Sequence, residues 1–280
     1  MGYDRERAHR LVAEEAAGLT DLDHGYPANH FAWRIALDSA QRRGARSLVE
    51  VGVGSGNGVA HVVDAGLTFA GVDNDEASVE ATRRALVDLG GDPADVIVAD
   101  AEDSESLQRL PGAGTFDSLM ALGIMPHARD REATMRNMAA LVRPGGEMFV
   151  EFRNSLFSLV TFNRFTRDFM VNELLADVPP TTRDRVSAFV AGRVDTDRPP
   201  LPSSGHEARY DNPFVIPEWL GGLGFDEVSI RPFHFHAAMP MMEAEDPQAF
   251  RDESLALEDD TTGWRGLFLC SVFLARIVRP

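Results

Sequence analysis

Three things are scarce in this 280-residue chain: cysteine, lysine and long apolar runs. Cys270 is the single cysteine, which rules out an intrachain disulfide and a cysteine-based zinc site. It lies in the apolar run LFLCSVFLA and reads as a packing residue in a protein of the reducing cytoplasm. No apolar stretch approaches the roughly 20 residues of a helical membrane span. Lysine is absent, so all 27 basic residues are arginine, against 44 acidic ones, for a net charge of −17. Such a chain repels phosphate backbones and anionic membrane surfaces unless it carries a strong basic patch. Its densest basic spots are only the pairs Arg42-Arg43 and Arg83-Arg84. Nucleic acid and membrane are therefore excluded as expected partners. The opening MGYDRERAHRLVAEEAAG is charged throughout and lacks the apolar centre of a secretory signal. Met1-Gly2 alone does not make a lipid anchor.

What is present is enough apolar residue, 44% of the chain, to build a sizeable core. Residues 1–45 read as a helical cap: a helix over Arg5–Ala17, turn chemistry over Asp21–Pro27, then a helix capped by Asn29 and ended by Gly44. Strands and helices then alternate. Strands are expected at Ser47–Val51, Thr68–Val72, Asp95–Val98, Phe116–Ala121 and Glu147–Phe152, the last preceded by a tight turn at Arg143–Gly146. Helices are expected at Gly58–Asp64, Glu76–Leu89 and Arg131–Leu141. This alternation over 46–153 predicts a mostly parallel, doubly wound α/β sheet, with ligands at the carboxyl ends of its strands. Residues 154–213 break the pattern with a long amphipathic stretch, Ser155–Val178, a helix over Thr182–Val194 and a Pro-rich loop. They are expected to form an inserted helical lid. Residues 214–280 return to order with a helix at Pro217–Leu223 and strands at Glu227–Phe235 and Leu267–Val278, an antiparallel pair completing seven strands.

The run Val49–Gly58, VEVGVGSGNG, carries the most specific chemistry. Its glycines allow the chain to turn sharply and approach a ligand closely. The dinucleotide fingerprint G-x-G-x-x-G/A fails in both frames, because the third position is Asn57 or Val59. Glu50, at the end of the first strand, suits no pyrophosphate but does suit the ammonium of an amino-acid moiety. Asp73 closes the second strand, where a carboxylate can accept both ribose hydroxyls. Asp100 closes the third, placed for an adenine amino group while the Ala101 N–H serves a ring nitrogen. Each alone is as readily a turn or a helix cap. The walk Glu50, Asp73, Asp100 along successive strand ends is far more specific.

On these residues the chain resembles the class I S-adenosylmethionine-dependent methyltransferases of small-molecule type. VEVGVGSGNG is similar to that family's first motif and GVDNDEASVEATRRAL to its second. VIVADAED resembles the adenine-contact motif, FDSLMALGIMPHARD the fourth motif, and LVRPGGEMFVEFRN the loop and fifth strand. The matches follow the family's order over residues 46–153. The resemblance implies a Rossmann-like fold and S-adenosyl-L-methionine as cofactor. It implies that Gly52, Gly54 and Gly56, with Ser55, border the methionine part. Asp73 and Asn74 would border the ribose, Asp100 and Ala101 the adenine, and Leu122 and Gly123 the sulfonium. Pro126 stands where small-molecule members commonly have histidine, and His127 is the nearest substitute.

A methyltransferase must align a nucleophile behind the activated methyl group and, for some acceptors, remove a proton. The candidate bases are His127, Glu151, and His234 with His236, which alternate at a strand end and share one face. His30 is a further candidate near the N-terminal cap. The His-x-His pair also suits a metal, with Glu151, His127 or Glu243 as a third ligand, or plain packing; no metal is assigned. Arg164 and Arg167 can clamp an anionic acceptor or belong to a solvated helix face. The acidic tracts Glu243–Asp246 and Asp252–Asp260 read as solvated surface. The expected partner is a small-molecule acceptor, with the protein a monomer or homodimer. Rival readings are an NAD(P)-dependent oxidoreductase and a catalytically silent cofactor-binding regulator. The Ala-, Arg-, Asp- and Gly-rich composition without lysine suggests a high-GC bacterial source and a biosynthetic role in specialised metabolism.

Overall fold

The structure is a computed structural model that describes residues 29–199, 207–225, 227–258 and 263–280. The expected helix Arg5–Ala17 and turn Asp21–Pro27 lie outside the described residues. Among the described residues, no helix is long and apolar enough to cross a membrane.

The chain folds as two compact units. The core unit contains residues 29–152, 214–231 and 274–280; the second contains 153–213 and 232–273. The core unit opens with α1 (His30–Arg42) and β1 (Ser47–Val51), followed by α2 (Asn57–Asp64), β2 (Thr68–Asp73), α3 (Glu76–Asp88) and β3 (Val96–Val98). It continues through α4 (Ser104–Leu107), β4 (Phe116–Ala121), α5 (Arg131–Leu141) and β5 (Val142–Arg153). The second unit holds α6 (Arg164–Phe169), α7 (Pro180–Ala191), α9 (Pro247–Leu257) and α10 (Gly266–Leu269), while α8 (Ile216–Gly222) returns to the core unit. Strands β6 (Glu227–Phe235) and β7 (Cys270–Val278) each have residues in both units.

The seven strands form one sheet in the order β3-β2-β1-β4-β5-β7-β6. Pairs β1–β2, β1–β4, β2–β3 and β4–β5 are parallel. Strands β1 and β4 are apolar and buried almost throughout, as strands covered on both faces must be. The order reverses between β1 and β4, so the loops after these strands diverge and leave a crevice at their carboxyl ends.

Helix starts in the core unit are built by aspartates. Asp75 accepts from the Ser78 N–H, Asp103 from Glu105 and Asp130 from Ala133. Asn29 does not do this for α1; it sits at the capping position in helical conformation without a side-chain capping bond. Gly44 ends that helix region in left-handed conformation, φ +67°.

Three expectations are corrected. Strand β5 begins at Val142, before the Arg143–Gly146 turn. Val142 pairs with Phe116, and Glu147 with Ser118, so the turn is an excursion inside the strand. It is pinned there by the Arg143 Nε bond to Asp117, 2.6 Å, and by Gly145 and Gly146 bonding both ways with Arg279. The stretch Ser155–Val178 is not one helix. Phe162 adopts φ +51° and Asn163 starts α6 with a capping box to Thr166, so the helix begins anew there. Residues 267–269 are a helical turn, not the start of the last strand.

Candidate cofactor site

The site grows out of the turn between β1 and α2. Gly52 (φ +85°) donates its N–H to the Val72 carbonyl, tying the turn to the next strand at 2.8 Å. A Cβ at Gly52 would lie 2.4 Å from Ile124 Cδ1, so the backbone there touches the loop after β4. Gly54 (φ +50°) is different: nothing lies within 4 Å of where its Cβ would be. The turn thus presents backbone next to open space. Gly56 (φ +83°) packs on Thr82 and precedes α2 without a side-chain cap, leaving that helix start to other acceptors.

Asp73 joins this turn directly. Its Oδ2 accepts the Gly54 N–H at 2.9 Å and its Oδ1 the Asp75 N–H at 3.0 Å. A carboxylate has about four acceptor positions, so two remain for a ligand. Asp100 accepts the Glu102 N–H at 2.9 Å through one oxygen only. Neither aspartate caps a helix, because Asp75 and Asp103 do that work.

Between these strand ends lies a cleft of about 260 Å³. Gly52, Asp73, Asn74, Asp100, Ala101, Gly123 and His127 line it, with Glu102, Ile124, Ala128 and Thr134. Glu102 bridges two walls, its Oε1 accepting from Arg129 N at 2.8 Å and its Oε2 from Asp130 N at 3.3 Å. Asn137 donates to the Ala101 carbonyl at 3.1 Å and holds the same edge. Glu50, Gly54, Ser55, Gly56, Leu122 and Glu151 do not line the cleft.

Glu50 is 5% exposed. Its Oε2 has no hydrogen-bond partner among the described residues. The carboxylate packs on the first turn of α2, where a Cβ at Gly58 would meet Oε2 at 2.4 Å and Trp33 Cζ2 at 2.5 Å. Burial, then the like charge of Asp73, holds its carboxyl well above the usual carboxylate range.

Residues 49–148 match the family described as "Methyltransferase domain". Over these residues the core unit is similar to a methyltransferase domain. A ubiquinone biosynthesis O-methyltransferase of Caulobacter vibrioides is 29% identical over 173 residues, covering 57% of this chain and 64% of that one. A protein of the same name from Vibrio parahaemolyticus is 28% identical over 161 residues, covering 56% and 63%. The chain thus spans less than two thirds of either relative. A solved SAM-dependent methyltransferase of Archaeoglobus fulgidus is 15% identical over 99% of this chain and 95% of that one, with a TM-score of 0.47.

The core unit has groups that fit S-adenosylmethionine, the cofactor that the sequence resemblance implies. The buried Glu50 oxygen without a partner suits an ammonium, the open side of Gly54 suits close approach, and Asp73 retains acceptor capacity. Glu102 lies inside the methyltransferase motif VIVADAED, yet its bridging role is visible only when Arg129 is brought opposite.

The other candidate residues lie elsewhere. Glu151 is buried on β5 of the core unit. The side chain of His30 lies outside the described residues. His234 and His236 are in the second unit, their rings stacked at 5.7 Å, with Phe157 at 4.6 Å from His236. His234 has φ +67°, an uncommon conformation for a side-chain-bearing residue. Burial, then His236, lowers its imidazole to about 3, and burial lowers His236 to about 4, so both are neutral at pH 7. Among the described residues no three His, Cys, Asp or Glu side chains gather into a metal-holding group. Arg164 is not on a solvated face: it is buried, pairs with Glu207 and donates to the Pro199 carbonyl at 2.7 Å. Arg167 pairs with its neighbour Asp168 at 2.8 Å. Cys270 is buried, its thiol pushed up to about 12 chiefly by burial.

Proposed function

We propose that this protein transfers a methyl group from S-adenosyl-L-methionine to an O, N or C nucleophile of a small-molecule acceptor. The observation that carries this reading is the buried, partnerless Oε2 of Glu50 beneath a glycine turn whose Gly54 N–H is held by Asp73. A buried acid without a partner is costly, and a cation-bearing ligand removes that cost. The cofactor supplies an activated methyl on a sulfonium. The chain's part is to hold and orient: Glu50 for the ammonium, Gly52, Gly54, Ser55 and Gly56 for the amino-acid end, Asp73 and Asn74 for the ribose, Asp100 and Ala101 for the adenine. Leu122 and Gly123 are assigned to the reacting end.

His127 is exposed at the cleft's edge and is our first candidate for removing the acceptor's proton, with Glu151 as the alternative within the core unit. His234 and His236, both neutral at pH 7, with Phe157 and Phe250 against the His236 ring, are the candidate bases of the second unit. The names of the two curated relatives make an oxygen nucleophile the first to try. A bacterial biosynthetic role in the cytoplasm completes the reading, consistent with a single buried cysteine.

Calorimetry with S-adenosylhomocysteine tests it. Binding is expected, weakened about tenfold or more by Asp73→Ala, since hydrogen bonds to a charged group are lost. Binding of NAD(P) in its place would favour the oxidoreductase. Binding of the homocysteine product without methyl transfer to any of a panel of small phenols, amines and acids would favour the silent regulator. Equal affinity in Asp73→Ala would remove the ribose assignment.

A further inference from the structure

Glu50 raises a question that its assignment to the ammonium does not answer: which protonation state waits for the ligand. It stands in register with Gly71 on β2 and Met120 on β4, neither of which brings a charge. From α1 it meets the Trp33 indole, and from α2 the first-turn backbone at Gly58. The charge that acts on it is Asp73 on β2, of the same sign, and the other titratable group near the Trp33 indole is His61 on α2. The His61 ring lies 6.0 Å from Trp33. It is buried, and its Nε2 is without a hydrogen-bond partner among the described residues. Burial lowers its pKa, against a smaller opposing pull from Asp64, so it offers no positive charge at neutral pH. Among the described residues no arginine pairs with Glu50. An ionised carboxylate here would be desolvated, uncompensated and repelled, and such a group keeps its proton instead.

We propose that cofactor uptake by this domain is proton-coupled: Glu50 is a neutral acid in the cofactor-free protein and gives up its proton when the cofactor's ammonium binds. The inference rests on the methyltransferase reading above. The Glu50 O–H bond breaks, the proton passes to solvent, and the carboxylate left behind pairs with the ammonium. Nothing is oxidised or reduced. Affinity then rises about tenfold per pH unit while free Glu50 is protonated and bound Glu50 is not, and becomes flat above that window.

The experiment is calorimetry of the full chain with S-adenosylhomocysteine at about pH 6, in two buffers of different ionisation enthalpy. The expected result is release of about one proton per ligand bound. Methylthioadenosine, which lacks the amino-acid end, is expected to bind wild-type protein without proton release. Glu50→Gln is expected to bind the homocysteine compound more weakly, with no proton released and no pH slope. Normal binding with the same enthalpy in both buffers would overturn the proposal, as would proton release that persists in Glu50→Gln or with methylthioadenosine. If Glu50→Gln fails to fold, the comparison of the two ligands on wild-type protein still decides. Failure of either ligand to bind at all would overturn the cofactor reading itself, a separate outcome.

Discussion

The strand-end cleft of the core unit and the histidine pair of the second unit handle polar groups in opposite ways. Around the cleft, backbone N–H groups tie carboxylates in place while leaving acceptor positions spare, as at Asp73 and Asp100. In the second unit the imidazoles of His234 and His236 are packed against rings and each other, on a backbone that is strained at His234. The first arrangement is organised around something absent from the chain. The second is a buried setting that keeps two histidines neutral. The difference separates carboxylates with spare acceptor capacity from imidazoles that resist protonation.

The largest effect expected to sharpen this contrast is on turnover. With an acceptor in hand, His127→Ala should lower kcat by about 10² to 10⁴, the usual worth of a general base. Its stability should stay within about 0.5 kcal/mol, because the side chain is exposed. If His127→Ala and His234→Ala both keep full rate, neither is the base, and the two regions differ in architecture alone.

Next in size is a pair of neighbours. Asp73→Ala should weaken cofactor binding about tenfold or more, with helix α3 intact. Asp75→Ala should leave affinity nearly unchanged and lower the melting temperature through loss of the cap. Calorimetry and thermal melts on both variants check this, and exchanged outcomes would break it.

A third comparison uses glycines. Gly58→Ala drives a Cβ into the Glu50 carboxylate and the Trp33 indole and should cost about 1–3 kcal/mol together with cofactor affinity. Gly221→Ala, in helix α8 with open space around it, should be neutral or stabilising by about 0.5–1 kcal/mol.

The last comparison is acid sensitivity. The unfolded chain protonates histidine near 6.5, while folded His234 and His236 stay neutral down to about 3 and 4. The stability they allow is therefore complete above about pH 6.5 and falls as pH drops from there toward the folded values. His236→Phe should flatten part of that fall in melts taken between pH 7 and 4. Glu50 has the opposite sign: raised when folded, it favours the cofactor-free protein at low pH and loses that contribution as pH rises.

Much of the core unit was legible because its signals are local. Strands β1 and β4 and helix α5 have the bounds that their apolar runs and flanking polar residues suggest. What escaped depends on distant partners. The start of β5 is set by Phe116 opposite Val142 and by Arg279 closing the Arg143–Gly146 excursion. The break at Phe162 interrupts a stretch whose apolar spacing is helical throughout. At the cleft the same rule holds. Asp73 and Asp100 announce themselves by ending strands, while Glu102 matters because it accepts from Arg129 and Asp130, 27 and 28 residues away.

The separation of strand-end aspartates from helix-capping ones has a consequence for how this domain can change. Asp73 and Asp100 serve the cleft, and Asp75 and Asp103 start the helices beside them. The aspartates that line the cleft and those that cap the helices are thus adjacent but different residues. A single substitution can mute the site while the helix starts remain, so a non-catalytic descendant would be an intact fold, available at once for scaffolding or regulation.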